Sequence, residues 1–336
     1  AKKSIGLESY IFRADAAGEP FHEALIAAHR RGVQVRVLID GVGGGYFWSG
    51  TYRRLSEAGV PVTRFLHSYL PWRMPFVNLR NHRKVLVIDG RVGFTGGINI
   101  GAENLQAPHP LHAVRDTHFR FEGPVVEQLT DAFADDWLFM TGEHLPDQDW
   151  FPEIDKAGVV AARVVTSGPD EDNERIEFVA LHAISCARKS VRVVTPYFLP
   201  PEPLTMALAL AAMRGIEVDL VIPEHGNHAI LDWARRIPLR PLIEAGCRVW
   251  LLPPPFEHSK LMTIDDSWSL VGSANWDTRS FRLNFELNVE LHDTGFAHEI
   301  AVATRLCRRL TVAELDSDPL PIRLRNSAAR LLQPYL

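Results

Sequence analysis

Two stretches of this 336-residue chain run through the same order of elements, and any fold must accommodate that internal repeat. In the first, an apolar run ending Tyr10-Ile11-Phe12 precedes a segment over 21–31 with Phe21, Leu25 and Ala28 on one helical face. Gly32 stops that helix and VQVRVLID (33–40) reads as a strand. A second helix ends at Glu57-Ala58-Gly59, a strand follows over 60–65, and then come HRKVLVID (82–89) and GGIN (96–99). The second stretch repeats the order: VRVVTPYF (191–198), a helix through 207–214 stopped by Gly215, IEVDLVI (216–222), a helix ending Glu244-Ala245-Gly246, a strand over 247–252, HSKLMTID (258–265) and GSAN (272–275). Even the punctuation matches, RRGVQVRVLI with MRGIEVDLVI and EAGVPV with EAGCRV. Strands alternating with helices at these lengths predict two similar α/β sandwich halves, each with a parallel or mixed sheet. The expected division is 1–146 and 147–336, with the crossover in the acidic, Pro- and Trp-containing segment 147–157. A repeated half-site implies a pseudo-twofold axis with one active site on the interface.

Each half carries His-x-Lys-x4-Asp in an apolar run: His82, Lys84, Asp89 and His258, Lys260, Asp265. On a strand, side chains two apart share a face, so His and Lys of each pair point the same way. Placing both on a buried strand costs desolvation, and a phosphate supplies the reason. Two lysines neutralise its charge, while two histidines divide nucleophilic and general-acid work on opposite sides of phosphorus. The small-residue turns ending in Asn99 and Asn275, with Ser273 beside the latter, let backbone approach a ligand and offer amide donors to its oxygens. Asp116 and Glu286 follow downstream, and a carboxylate of this kind holds a catalytic imidazole by its Nδ1–H.

These paired motifs, HRKVLVIDGRVGFTGGIN and HSKLMTIDDSWSLVGSANWDTRSF, resemble the phospholipase D superfamily from Ser4 to about Asp293. LESYIF, the LRNHRK lead-in, RDTHFRFEGPVV, TPYFLPPEPL and SANWDTRSFRLNFE are similar to its bacterial cardiolipin synthase branch. The resemblance implies a phospholipase D-like fold and transfer of a phosphatidyl group between phospholipids through a phosphohistidine, without metal or other cofactor. It implies His82 as nucleophile and His258 as acid/base, although the near-symmetry of the motif leaves the two roles exchangeable. Lys84, Lys260, Asn99 and Asn275 would hold phosphate oxygens. Asp89 and Asp265 are expected to act structurally or electrostatically close to the site. Hydrolysis to phosphatidic acid and nuclease action are the alternatives within the superfamily.

Composition narrows the partners. A net charge of −5 disfavours a dedicated nucleic-acid binder. Three scattered cysteines exclude a disulfide framework and fit a reducing compartment. No window reaches a membrane span, and Leu204–Met213, stopped by Arg214, reads as a buried helix. The expected setting is peripheral, on the cytoplasmic side of a bacterial inner membrane, with a monomer sufficient for one complete site. Because the chain opens at Ala1 without Met, an upstream anchor outside this sequence is part of that expectation. Two aromatic segments, Tyr46-Phe47-Trp48 and the insertion 69–76, suit either a headgroup contact or packing between the halves. GVGGG (41–45) lacks the dinucleotide fingerprint and reads as a loop near the site. His109/His112 and His225/His228 read as polar loop residues rather than metal ligands. The amphipathic 322–336 reads as a docked helix.

Overall fold

The computed structural model describes residues 1–68, 78–105, 113–170, 172–301 and 307–333, with only the backbone of 298–301. The insertion 69–76 and the His109/His112 pair lie outside the described residues. The first stretch forms β1 (Ser4–Ser9), α1 (Gly18–Arg30), β2 (Gln34–Asp40), α2 (Gly50–Glu57), β3 (Val62–Phe65) and β4 (Arg80–Asn81). It continues through β5 (Val85–Ile88), β6 (Val92–Gly96), β7 (Val114–Arg115), β8 (His118–Glu122), α3 (Val125–Thr141) and α4 (Asp147–Trp150). Then come β9 (Ala161–Ser167), α5 (Arg175–Cys186), β10 (Ser190–Val194), β11 (Phe198–Leu199), α6 (Glu202–Met213), β12 (Glu217–Pro223) and α7 (Ala229–Glu244). The chain proceeds through β13 (Arg248–Leu252), β14 (Phe256–Glu257), β15 (Leu261–Ile264), β16 (Trp268–Gly272), β17 (Trp276–Asp277), α8 (Thr278–Arg282) and β18 (Asn284–His292). It closes with α9 (Thr294–Ala301), β19 (Arg308–Leu310), α10 (Val312–Asp316) and α11 (Leu320–Leu331).

The repeat read in the sequence is a repeat of topology. One sheet runs β3-β2-β1-β5-β6-β8, and the other contains β13-β12-β10-β15-β16-β18 in the corresponding order. In both, the first three strands are parallel and the remaining pairings antiparallel. The helix-stopping glycines explain the shared entry into the second strand: Gly32 at φ 85° and Gly215 at φ 87° adopt the left-handed conformation that other residues resist. The β-branched residues that follow are buried, Val35 and Val37 in one half and Val218 and Val221 in the other.

Two short strands cross between the sheets. β4 joins the second sheet by pairing in parallel with the start of β18, and β7 pairs in parallel with β14. The residues leading into each motif therefore leave their own half to dock on the other. This corrects one expectation: His82–Lys84 and His258–Lys260 precede the motif strands, which begin only at Val85 and Leu261. Between the sheets lies a continuous core in which Val85, Val87, Phe121 and Phe133 share a cluster with Val194, Val221, Leu261 and Leu287. The crossover segment begins on the first half, where Trp150 is buried against Phe133 and its indole N–H donates to Gln34. Helix α11 packs on α7, with Arg325 over the Trp233 ring at 4.4 Å. No helix among the described residues is long and apolar enough to cross a membrane.

The last residue of each motif closes the tight hairpin after the motif strand, at φ 54° for Asp89 and 52° for Asp265. Asp tolerates this conformation better than most residues. Its carboxylate also has a task. Asp89 accepts backbone N–H groups of Lys2, Lys3 and Ser4 at 2.7–3.0 Å, and Asp265 accepts those of Arg188, Lys189 and Ser190 at 2.7–3.2 Å. Each thus ties the start of a central parallel strand to its antiparallel neighbour. Burial opposes ionisation of both, but these N–H donors outweigh it and hold the carboxyls below their usual range. Their contribution is therefore present above about pH 4 and is lost as pH falls through the depressed folded value. Asp89→Ala or Asp265→Ala should cost about 1–2 kcal/mol in urea unfolding at pH 7. The difference from wild type should shrink towards pH 3.

Candidate active site

The crossing strands bring the two motifs to one place. On the first side His82 donates its backbone N–H to Phe285 O (2.8 Å), and on the second His258 donates to Arg115 O (2.7 Å). Each histidine is thereby set beside a carboxylate of the opposite half. His82 Nδ1 lies 2.9 Å from Glu286 Oε2, and His258 Nδ1 lies 2.6 Å from Asp116 Oδ2. Both carboxylate side chains are almost wholly buried. A carboxylate facing Nδ1 fixes the proton there and leaves Nε2 as the free lone pair. Lys260 Nζ also comes within 2.8 Å of His258 Nδ1, but one ring nitrogen cannot serve both neighbours. The ionised carboxylate takes the Nδ1–H, and the ammonium donates to His258 O.

Lys84 Nζ makes the corresponding bond to His82 O at 2.7 Å. Both lysines are at most 3% exposed, behind the histidines rather than on the open wall. Burial, opposed in part by the nearby carboxylates, brings Lys84 down to about 7 and Lys260 to about 8. Burial and then Lys260 hold His258 down to about 4, and burial also lowers His82. Asp116 and Glu286 are held below the usual carboxylate range as well. Burial raises both, yet the neighbouring Lys and His groups outweigh it and keep them ionised. With both lysines charged, below about pH 7, two ammoniums and two carboxylates balance one another around neutral imidazoles.

Both histidines line a single cavity of about 630 Å³, with Asn99 and Asn275 on the same wall. Asn99 Oδ1 accepts the Ile11 N–H, so its amide NH2 is the group available to an oxygen of a ligand. Ser273, expected to face substrate, does not line the cavity. It is fully buried, and its hydroxyl donates to Glu286 Oε2 at 2.5 Å. It positions the carboxylate that holds His82. Asp89 and Asp265 correct the expectation of closeness to the site. They end the motif strands, about 16 Å of extended chain beyond Lys84 and Lys260.

Other neighbours escaped the sequence reading. Tyr10 meets His82 edge-on with centroids 4.9 Å apart, and Tyr197 meets His258 likewise at 6.2 Å. They occupy matching places in SYIF and PYFL, so aligning the repeat could have exposed them. His118, just past Asp116, is pushed down to about 4 mainly by burial, and its Nδ1 has no partner among the described residues. Behind the first motif, Arg83 ties Asp136 (2.7 Å) to the Glu286 carbonyl (3.2 Å), and Asn81 bonds Asp136 and Glu8. No periodicity marks that buried network.

The family described as cardiolipin synthase, phospholipase D-like domain, matches residues 1–137 and 180–304. The chain is 37% identical over 344 residues to the major cardiolipin synthase ClsA of Bacillus subtilis, covering 100% of this chain and 71% of that protein. The chain belongs to the cardiolipin synthase family. A second member, cardiolipin synthase of Geobacillus kaustophilus, is 36% identical, with 100% of this chain and 68% of that one covered. Among solved structures, phosphatidylserine synthase of Haemophilus influenzae shares the fold with a TM-score of 0.76 at 16% identity, covering 100% of this chain and 91% of that one.

Glu286→Gln and Asp116→Asn keep shape but remove the charge that fixes each imidazole. Each should lower kcat by roughly 10²–10⁴ in a single-turnover assay while the protein remains folded by circular dichroism. Rising pH discharges Lys84 and Lys260 through about 7 and 8, so kcat/KM for an anionic phosphodiester should decline from about pH 7 upward.

Proposed function

We propose that this chain transfers a phosphatidyl group from one phosphatidylglycerol to a hydroxyl of another, forming cardiolipin and releasing glycerol. The observation that carries the reading is the pair of imidazoles lining one cavity, each oriented by a carboxylate of the opposite half. In the first step, Nε2 of one histidine attacks phosphorus and forms a P–N bond. The P–O bond to glycerol breaks, and the second histidine, protonated, gives its proton to the departing oxygen. In the second step, that histidine takes the proton of the incoming hydroxyl. The new oxygen attacks phosphorus and the P–N bond breaks. His82 is the nucleophile and His258 the acid/base by the family pattern. Lys84 and Lys260 supply positive charge from behind, and Asn99 and Asn275 supply amide donors from the wall.

The roles of these residues follow the reciprocal architecture, which makes one chain sufficient for one site. The proposed division remains two halves, 1–146 and 147–336, with α4 as part of the first half's packing. Peripheral attachment to the cytoplasmic face of a bacterial inner membrane fits the exposed aromatics Phe47 and Trp48, which are 83% and 69% exposed. Their loop begins beside the site, where a Cβ on Gly43 would strike Tyr10. Leu320, Leu324 and Leu331 form a further exposed apolar face on α11 even though the helix is docked.

Phosphatidylglycerol vesicles incubated with the protein should yield cardiolipin and free glycerol by mass spectrometry, with or without a chelator. Phosphatidic acid as the sole product would favour a hydrolase instead. His82→Ala and His258→Ala should each abolish product. Acid-labile phosphatidyl label retained on His82 in the His258→Ala protein would fix the nucleophile.

A further inference from the structure

The repeat is symmetric where phosphorus reacts and asymmetric on the walls around it. Aligning His82 with His258 places Arg80 opposite Phe256, and aligning Asn99 with Asn275 places Glu103 opposite Arg279. All four side chains line the cavity. Each pair of equivalent positions thus supplies one cation, Arg80 against the Phe256 ring and Arg279 against the Glu103 carboxylate. Glu103 is already paired with Arg13 at 3.3 Å.

The two arginines reach the same rim from opposite halves. Arg80 donates to Leu79 O at 2.8 Å, and Arg279 donates to Asn78 Oδ1 and O at 3.0 and 2.6 Å. Each guanidinium also weakens or offsets charge at the other's neighbours: burial and then Arg80 lower Arg279, and both arginines counter the upward push of burial on Tyr10. The carboxylates facing this corner, Asp40 and Asp277, push Arg279 towards its charged form and also hold backbone N–H groups. Asp40 accepts the N–H groups of Val42, Gly43 and Asn81, and Asp277 accepts that of Ser280 at the start of α8. A guanidinium matches a phosphodiester through paired N–H donors, and two of them in one corner suit an anion beyond the one at the histidines.

We infer that Arg80 and Arg279 form a second anion subsite, which holds the phosphodiester of the acceptor phospholipid while its hydroxyl reacts at the His82/His258 centre. The inference rests on the transferase reading above and names what that reading lacks, a means of selecting a lipid rather than water or a small alcohol as acceptor. Spacing supports it. In the product one glycerol bridges two phosphates, so the phosphorus atoms lie six single bonds, about 7 Å, apart. Arg80 and His82 are two residues apart on a strand-like segment paired with β18, about 6.6 Å along its length and on one face. The backbone interval is thus of the same order as the separation of the two phosphates, and both side chains line the one cavity.

The test is a competition within one reaction. Phosphatidylglycerol vesicles are supplied with a neutral short-chain alcohol, and cardiolipin and phosphatidyl-alcohol are quantified together, so losses of vesicle binding or of the first step cancel in their ratio. Arg80→Gln and Arg279→Gln should each lower the cardiolipin-to-phosphatidyl-alcohol ratio by about tenfold, and the double variant by more. The apparent KM for the lipid acceptor should rise more than kcat falls. Arg80→Lys and Arg279→Lys, which retain the charge, should recover part of the ratio. Both products falling together at constant ratio would show that the arginines merely brace the rim and would overturn the assignment, as would an unchanged ratio at unchanged rate. Wild-type protein that makes phosphatidic acid and no cardiolipin would overturn the transferase reading and this subsite with it. Wild-type cardiolipin formation with an unaltered ratio in the variants would overturn the subsite alone.

Discussion

The reciprocal exchange between the halves is the constraint on which the site depends. The β4 lead-in to His82 docks on β18, which carries Glu286, and the β14 lead-in to His258 docks on β7, whose next residue is Asp116. Neither half contains a complete histidine–carboxylate pair. A half folded alone would leave an imidazole without its orienting carboxylate and a carboxylate buried without its cation, and an unpaired buried charge is among the costliest defects a protein can hold. The continuous core between the sheets supplies the apolar burial that offsets desolvating four charged groups there. Packing and catalysis therefore impose the same requirement, that the halves stay together.

Charge balance explains why the cluster is built from these residue types. Lysines alone would make an empty cavity strongly positive and would depress both histidines, leaving no group able to protonate a departing alcohol. In the proposed mechanism the two carboxylates cancel the lysines, so a phosphodiester would bring the charge that calls for one extra proton. A proton recruited by substrate is available for the leaving group only when substrate is present.

The sequence made the duplicated fold and both motifs readable because each rests on local pattern: β-branched strands, helix-stopping glycines and an unusual His-x-Lys spacing repeated once. It also made Asp116 and Glu286 readable as partners for imidazoles. What it could not show is which carboxylate serves which histidine, since that depends on β4 and β7, strands of two residues each, too short to carry a periodic signal. The same limit misplaced three residues. Asp89 and Asp265 read as site residues because they are five positions past a lysine, yet strand geometry carries them to the far end, where the hairpin needs a left-handed residue and the neighbouring strand needs an acceptor. Ser273 read as a phosphate donor from its place beside Asn275, but Glu286 lies closer to it than any open surface.

A duplicated site poses a problem for a transfer between two similar lipids. Phosphorus chemistry is served by symmetry in the proposed mechanism, where the same centre protonates one alcohol and deprotonates another in turn. Recognition is not, because two like lipids arriving at equivalent walls could occupy either role or block each other. The chain departs from its repeat at just such positions, with Arg80 against Phe256 and Arg279 against Glu103, while His, Lys, Asn and the aromatic residue over each imidazole are retained. Divergence at the wall with retention at the centre is what would let one reacting site receive two lipids in a fixed order. The cationic corner favours a ligand that carries its own phosphodiester, and water does not.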